Sequence, residues 1–169
     1  MAGGTIGPAM IRDATRADFP AILALNADWV EFLSPMDAAE LTAFARASRH
    51  FRVAEEGGAV AAFLLAFRAG DAYGGAVFAR FMREGGDFFY IDRIVVDERC
   101  RNLGLARALY DDLETAARAA GVPRLVCEVN ADPPNDASLR FHLRYGFAET
   151  GLMPHNGKRV ALMEKLLAG

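Results

Sequence analysis

The sequence predicts an α/β domain built around a central mixed sheet, and three features of the chain lead to this prediction. A strand, a helix and a second strand follow one another over residues 88–129, which is typical of a β-α-β unit. Two strand-like runs flank a glycine-containing turn at residues 55–58, and two more flank residues 155–157, which include an Asn-Gly pair. The chain of 169 residues fits one domain. We assign it to residues 11–169 and expect residues 1–10 to form a loose tail.

The composition is that of a globular protein without a strong charge. The formal net charge is −3 at pH 7, so any anion site must be built locally and no general attraction to nucleic acid is expected. Cys100 and Cys127 do not have the spacing of metal ligands. We recognise no signal peptide and no run of membrane-spanning length. We therefore expect a reduced, cytoplasmic protein with no bound metal and no nucleic-acid or membrane partner.

The first predicted elements are a short strand from Ile11 and a helix that starts near Arg16, where Thr15 is placed as the cap. Apolar positions recur every three or four residues until Ser34 and Pro35, so we expect the helix to end there. The other elements of this half are a second helix over 37–46 and strands over 51–54 and 59–67.

The segment over residues 69–86 carries five glycines among aromatic and aliphatic side chains. This mixture predicts a loop that lines a pocket. The elements that follow are a strand over 88–96, a helix over 105–120, a strand over 124–129, a helix over 135–145 and a final hairpin around residues 155–157.

The stretch Arg101-x-x-Gly104-x-Ala106 joins a strand to a helix. A helix N-terminus presents unpaired N–H groups, Gly104 lets an anion approach them, and Arg101 and Arg107 add positive charge. The stretch lacks the lysine of a Walker loop and two of the three glycines of a dinucleotide fingerprint. It therefore predicts an anion cradle, with a tight turn and solvated arginines as the alternative.

This cradle resembles the acyl-CoA signature of the GNAT superfamily of N-acyltransferases, which reads Arg or Gln, x, x, Gly, x, Gly or Ala. A second motif over residues 135–147, Asn-x-x-Ser-x-x-Phe-x-x-x-x-Gly-Phe, resembles a helix of the same family, one helix and one strand further along. The resemblance covers residues 90–147 closely and the remainder in the order of its elements.

The resemblance implies a mostly antiparallel sheet that splays between the strands at residues 91–96 and 125–129, with acetyl-CoA as co-substrate in the wedge. The pyrophosphate would rest on the amides of residues 101–106, and the first strand would pair with the pantetheine arm. The cofactor-binding residues implied are Ile94, Val95, Val96, Arg101, Asn102, Leu103, Gly104, Leu105, Ala106, Arg107, Asn130, Asn135, Ser138 and His142.

Acyl transfer to an amine needs a base for the nucleophile and a proton for the leaving thiolate. Strand alternation predicts that the even-numbered residues of 90–96 share one side, opposite Arg93. The family often keeps a glutamate near position 90, where this chain has Tyr90. Asp92 or Glu128 is therefore the candidate base, directly or through water. The alternative is that both carboxylates pair with nearby arginines as solvated edge charges.

His142 occupies the position where the family usually has the tyrosine that protonates the thiolate. It shares a helix face with Asn135 and Ser138, and an imidazolium is a stronger acid than a phenol. The alternative is a histidine that hydrogen-bonds a backbone carbonyl without transferring a proton. Cys127 is interpreted as a buried thiol rather than a nucleophile. The predicted catalytic residues are His142, Asp92, Tyr90 and Glu128.

The predicted activity is transfer of an acetyl group from acetyl-CoA to a primary amine of a small molecule or peptide, by direct attack in a ternary complex. The alternative is an acyl-CoA-binding or sensing module without catalysis, which the missing tyrosine favours. A second copy of the chain is the candidate protein partner, in a homodimer.

The first two predicted helices carry acidic residues and no basic ones between Arg16 and Arg46. The acidic residues are Asp18, Asp28, Glu31, Asp37 and Glu40, with Trp29 among them. If these helices border the acceptor pocket, the charge favours a cationic acceptor. A solvated acidic face with Trp29 in the core is the alternative.

Overall fold

The computed structural model describes residues 9–168, which form a seven-stranded sheet with α-helices on both faces. The strands are β1 (Met10–Asp13), β2 (His50–Glu56), β3 (Ala59–Arg68), β4 (Phe89–Val96), β5 (Arg124–Asp132), β6 (Ala148–His155) and β7 (Lys158–Leu166). The α-helices are α1 (Phe19–Ala27), α2 (Ala38–Ala47), α3 (Ala76–Glu84), α4 (Leu105–Ala119) and α5 (Asp136–Tyr145). The strand order is β1-β2-β3-β4-β5-β7-β6. The predicted α/β class is confirmed.

The sheet splits between β4 and β5, which run parallel and are joined by α4. The two strands pair at two positions, where residues 89–90 meet residues 125–126. Beyond these positions they diverge, while β4 stays paired with β3 and β5 stays paired with β7. This geometry confirms the predicted splay. The facing edges of residues 91–96 and 127–132 are left without a paired strand, and the candidate site lies between them.

A β-bulge in β4 changes which side chains share a face. Two consecutive residues of β3 pair with the residues on either side of Asp92, so Asp92 is an extra residue in the ladder. As a result Ile94 and Val96 pack in the cluster against α4, while Arg93 lies with Tyr90 on the opposite face. Arg93 does lie opposite to Ile94 and Val96, as expected, but the prediction that Tyr90 shares their side is wrong, because a bulge shifts the side-chain period by one residue.

The helix predicted to reach Ser34 ends at Ala27 as α1. The chain that follows, the α1–α2 segment (residues 28–36), folds back in turns. Asn26 is buried, and its amide donates to the carbonyl of Ser34 at 3.2 Å while its oxygen accepts from Arg93 at 2.9 Å. These tertiary hydrogen bonds fix the return of the chain, which apolar periodicity does not reveal.

The loop predicted over residues 69–86 contains the helix α3, which buries Val77, Phe78 and Phe81. Gly75 is the N-cap of this helix, and Gly85 ends it with φ of 79°. The loop prediction is wrong because the glycines flank the helix and do not interrupt it.

The remaining predicted elements are confirmed, with ends that differ by a few residues. Most of the predicted tail, residues 1–8, lies outside the described residues. Met10 opens β1 and pairs with Glu55 of β2, so the tail does not extend to residue 10. Between residues 9 and 168, no helix has the length and apolar character needed to cross a membrane.

Candidate active site

A cavity of about 910 Å³ lies in the wedge between β4 and β5. Its walls also include the α1–α2 segment, the chain before α3, the cradle (residues 101–107), the start of α5 and the β6–β7 hairpin. All predicted cofactor-binding residues line this cavity except Leu103, which is exposed. The predicted catalytic residues Tyr90, Asp92, Glu128 and His142 line the same cavity. The structure therefore brings both predicted sets into one site.

The cradle has the geometry of an anion site. Gly104 precedes the first turn of α4 with a left-handed backbone, φ 77° and ψ 11°, and a Cβ added there would meet nothing within 4 Å. The first amides of a helix have no intrahelical acceptor, and Gly104 leaves the approach to them open. The guanidinium of Arg101 lies 4.6 Å from the ring of Trp29, and Arg107 lies 3.9 Å from Asp111. Free amides and two arginines are therefore available to a diphosphate.

Glu128 of β5 is a carboxyl group whose pKa this site changes strongly. The hydroxyl of Tyr90 lies 2.9 and 2.8 Å from the two carboxylate oxygens and donates to them. Burial raises the pKa of Glu128 to about 8, and the negative charge of Asp92 acts in the same direction. Burial also raises the pKa of Tyr90, so its hydroxyl keeps the proton. A carboxylate with a pKa of about 8 is matched to proton transfer near neutral pH.

Asp92 is held by donors on both of its oxygens. Tyr73 donates its hydroxyl to Oδ1, and Nε of Arg93 lies 2.6 Å from Oδ2. The side chains of Asp92 and Arg93 are only 5% and 7% exposed. Asp92 therefore does pair with an arginine, but the pair is buried and is not a solvated edge contact. Arg124 binds a glutamate of β7 at 2.6 Å instead of Glu128.

His142 of α5 is buried with both ring nitrogens bonded. Nδ1 lies 2.7 Å from the carbonyl oxygen of Ser138, and Nε2 lies 2.6 Å from the hydroxyl of Tyr110. Because a carbonyl can only accept, Nδ1 carries the proton and Nε2 accepts from Tyr110. Burial lowers the pKa of His142, which favours this neutral form. Asn135 caps α5 by accepting from the amide of Ser138 at 3.2 Å, as its position predicts.

Comparison with known families decides the relationship of this chain to other proteins. Residues 9–147 match the family model described as acetyltransferase (GNAT) family. The chain belongs to the GNAT acetyltransferase family. The match includes the whole cradle and the helix α5, and it confirms the resemblance drawn from the two motifs.

Solved structures share the fold of this GNAT chain over nearly its full length. Ard1 from Thermoplasma volcanium is 20% identical with a TM-score of 0.76, over 96% of this chain and 100% of that chain. The yncA protein from Salmonella typhimurium, solved with its cofactor acetyl-CoA, is 23% identical with a TM-score of 0.72, over 96% of each chain. A ribosomal-protein-alanine N-acetyltransferase from Brucella melitensis is 27% identical with a TM-score of 0.69, over 94% of this chain and 99% of that chain.

Two tyrosines that line the GNAT cavity, Tyr73 and Tyr110, are absent from the predicted site residues. Tyr110 lies on the buried face of α4, and its position in the sequence pattern is that of an ordinary core residue. Its hydrogen bond joins it to His142, 32 residues further along the chain. Tyr73 lies in the segment predicted as a pocket-lining loop, and its aromatic character there was the available signal. Cys127 is buried, and burial raises the pKa of its thiol, which fits the interpretation of an unreactive thiol.

The acidic residues between Arg16 and Arg46, predicted to lie on two helices, do not line this GNAT cavity. Asp28 and Glu31 are exposed and do not line it, although Trp29 between them does. Asp18 is paired with Arg12 at 2.8 Å. Among the described residues, the acidic side chains that line the cavity are those of Asp92 and Glu128.

Proposed function

We propose that this GNAT domain transfers an acetyl group from acetyl-CoA to a primary amine of a small molecule or peptide, by direct attack in a ternary complex. The observation that carries the proposal is that one cavity holds both the cradle and the hydrogen-bonded pair of Glu128 and Tyr90. The cradle can bind a diphosphate, and Glu128 can take a proton from an amine. Family membership supports the use of an acyl-CoA.

The residues present fit the parts of acetyl-CoA. The open space in front of Gly104 and the free amides of α4 suit the diphosphate, with Arg101 and Arg107 beside it. The unpaired edge of residues 91–96 offers backbone groups to an extended pantetheine arm. When bound, acetyl-CoA supplies the activated acetyl thioester.

Glu128 acts as the base in this proposal. Its carboxylate accepts a proton from the ammonium form of the acceptor, directly or through water, while Tyr90 holds it in position. The free amine then forms the C–N bond as the C–S bond breaks. The nitrogen loses a second proton after the attack, and the thiolate gains one, so the reaction releases one proton in total.

A proton route from His142 to the thiolate passes through Tyr110. Because Nε2 faces the Tyr110 hydroxyl, a protonated His142 would give its Nε2 proton to that oxygen while Tyr110 passes its own proton to sulfur. Both residues line the cavity. The neutral ring, which burial favours, cannot act in this way, since its one proton is bonded to the carbonyl of Ser138. The route therefore requires His142 to take up a proton at Nε2 before the thiolate leaves.

The experiment is a turnover assay with acetyl-CoA across a panel of amino acids, polyamines, aminoglycosides, simple amines and peptide N-termini. Release of free thiol and the mass of the acetylated amine are measured, together with calorimetry of CoA and of ATP. We expect CoA to bind, ATP not to bind, and at least one class of amine to be acetylated. CoA binding without turnover on any amine would support the non-catalytic module. Equal binding of ATP would contradict the acyl-CoA assignment.

A further inference from the structure

Tyr73 is held by aromatic side chains from three elements. Its ring centroid lies 4.3 Å from that of Phe67 in a stacked arrangement, 5.4 Å from Phe78 and 5.6 Å from Tyr90. These residues belong to β3, α3 and β4, so the ring is packed from several directions. Burial raises the pKa of Tyr73, so its hydroxyl keeps the proton and acts as a donor.

Gly75 makes room for this ring. A Cβ added to Gly75 would lie 2.4 Å from Cε1 of Tyr73 and 3.0 Å from its hydroxyl oxygen. The backbone of Gly75, with φ −69° and ψ 139°, is open to any residue, so the conflict is with the ring alone. A methyl group at position 75 therefore displaces Tyr73 without straining the main chain.

The hydroxyl held in this way donates to Asp92, whose other oxygen accepts from Arg93. Arg93 is fixed in turn, since its Nη1 lies 2.9 Å from the side-chain oxygen of the buried Asn26. Both oxygens of Asp92 are thus engaged by packed donors. The charge of Asp92 strengthens both bonds, and the two bonds hold the side chain in place. Glu128 differs, because a single hydroxyl donates to both of its oxygens.

We propose that Tyr73 is a positioning residue: with Arg93 it fixes Asp92 as a negative neighbour, so that Glu128 alone accepts the proton of the amine. The catalytic part of this inference rests on the proposed function. The electrostatic part concerns the protein without substrate and is tested separately. It predicts that a loosened Asp92 changes the titration of Glu128.

The groups that act on the Glu128 carboxylate support this direction of change. On β4 they are Tyr90, Asp92 and Arg93, and before α3 there is Tyr73. The neighbouring parts of α3 and β7 contribute apolar side chains to the cluster that surrounds Tyr90. After burial, the charge of Asp92 is a further cause that raises the pKa of Glu128. Removing that charge, or moving it away, should therefore lower the pKa of Glu128.

The test is a titration of the Glu128 side-chain carboxyl by ¹³C NMR, with labelled glutamate and assignment through Glu128→Gln. We expect a midpoint of about 8 in the natural sequence. In Asp92→Asn the midpoint should fall by about one pH unit or more, because a neighbouring negative charge is lost. In Tyr73→Phe it should fall by a smaller amount, since Asp92 without its hydroxyl donor is held less firmly beside Glu128.

Two further variants separate the hydroxyl from general packing. Gly75→Ala should reproduce the shift of Tyr73→Phe, because it displaces the ring. Tyr145→Phe is the matched control: it removes a tyrosine–aspartate bond of 2.8 Å to Asp111, away from the cavity, and should leave the Glu128 midpoint unchanged. An unchanged midpoint in both Tyr73→Phe and Gly75→Ala overturns the positioning role.

Kinetics test the assignment of the base. Asp92→Asn should keep measurable turnover, and the fall of its rate at low pH should move to lower pH values. Glu128→Gln should lose this fall of the rate at low pH. Turnover that survives in Glu128→Gln and disappears in Asp92→Asn overturns the assignment. If the natural sequence acetylates no amine, the proposed function fails, but the NMR titration still decides whether Tyr73 and Asp92 act on Glu128.

Discussion

The hydroxyl of Tyr110 lies 2.6 Å from Nε2 of His142, and this bond joins α4 to α5 in the wall of the cavity. A second bond fixes the neutral tautomer: Nδ1 donates to the carbonyl of Ser138, so Nε2 accepts from Tyr110. The two residues therefore form a unit, and substitution of either should affect the other.

His142→Ala is expected to lower kcat ten-fold or more, a small general-acid effect, with little change in the affinity for CoA. His142→Tyr should restore part of the rate, and Tyr110→Phe should resemble the alanine variant because it cuts the same route. Steady-state kinetics and CoA calorimetry check these outcomes, with the thermal midpoint as a control for folding. An alanine variant with the natural kcat from about pH 6 to 9 would assign the thiolate proton to water.

Gly104→Asp is expected to weaken CoA binding by at least ten-fold, about 1.4 kcal/mol, because a carboxylate would stand where the diphosphate approaches. Gly121→Asp is the matched control. Gly121 also has a left-handed backbone, with φ 68°, and open space at its Cβ, but it lies outside the cavity. Both variants should lose similar stability, whereas calorimetry should detect weaker CoA binding in Gly104→Asp alone. Equal CoA affinity in the two folded variants would remove the cradle from the site.

The value of kcat/KM should increase with pH, with a midpoint at about pH 8, because Glu128 must be ionised to accept a proton. Glu128→Gln should lower kcat/KM by about 10² or more and lose this dependence. Glu149→Gln, on the exposed part of β6, is the control and should retain the natural profile. If Glu128→Gln has the same pH–rate profile as the natural sequence, Glu128 is not the base.

The raised pKa of Glu128 also predicts how stability changes with pH. The unfolded chain releases this proton near pH 4.3, whereas the folded protein holds it until about pH 8. Between these values the folded state binds more protons, so the free energy of unfolding falls as the pH rises. The natural sequence should therefore lose thermal stability relative to Glu128→Gln between about pH 5 and pH 9, which the thermal midpoints of both proteins at the two pH values would show. A difference that is the same at both pH values would contradict the burial of this carboxyl.

Asp28→Asn and Glu31→Gln are expected to leave KM for the best amine unchanged. Both side chains are exposed and neither lines the cavity, so solvent screens their charge. Asp92→Asn is the comparison variant: Asp92 does line the cavity, so its substitution is expected to change KM for the amine. A several-fold rise of KM in the Asp28 or Glu31 variant would show that the acceptor extends beyond the cavity to the α1–α2 segment.

Features that depend only on neighbouring residues in the chain could be predicted from the sequence. The strand, turn and helix around Gly104 are specified within a few residues, and so is the capped helix that begins after Asn135. Backbone conformation, amide availability and helix capping are local properties. The cradle and the face of α5 were therefore predictable, and the two motifs were enough to indicate the family and its splayed sheet.

The tertiary structure decided the parts that depend on contacts between distant residues. The bulge at Asp92 is a property of the ladder with β3, and it puts Tyr90 on the face opposite to Ile94 and Val96, where alternation predicts a shared face. Glu128 meets Tyr90 across 38 positions, and its raised pKa comes from burial that the fold creates. Tyr73 and Tyr110 acquire their roles in the same way. Local preferences contribute only tenths of a kcal/mol per residue, so packing and desolvation determine where these side chains lie and how they titrate.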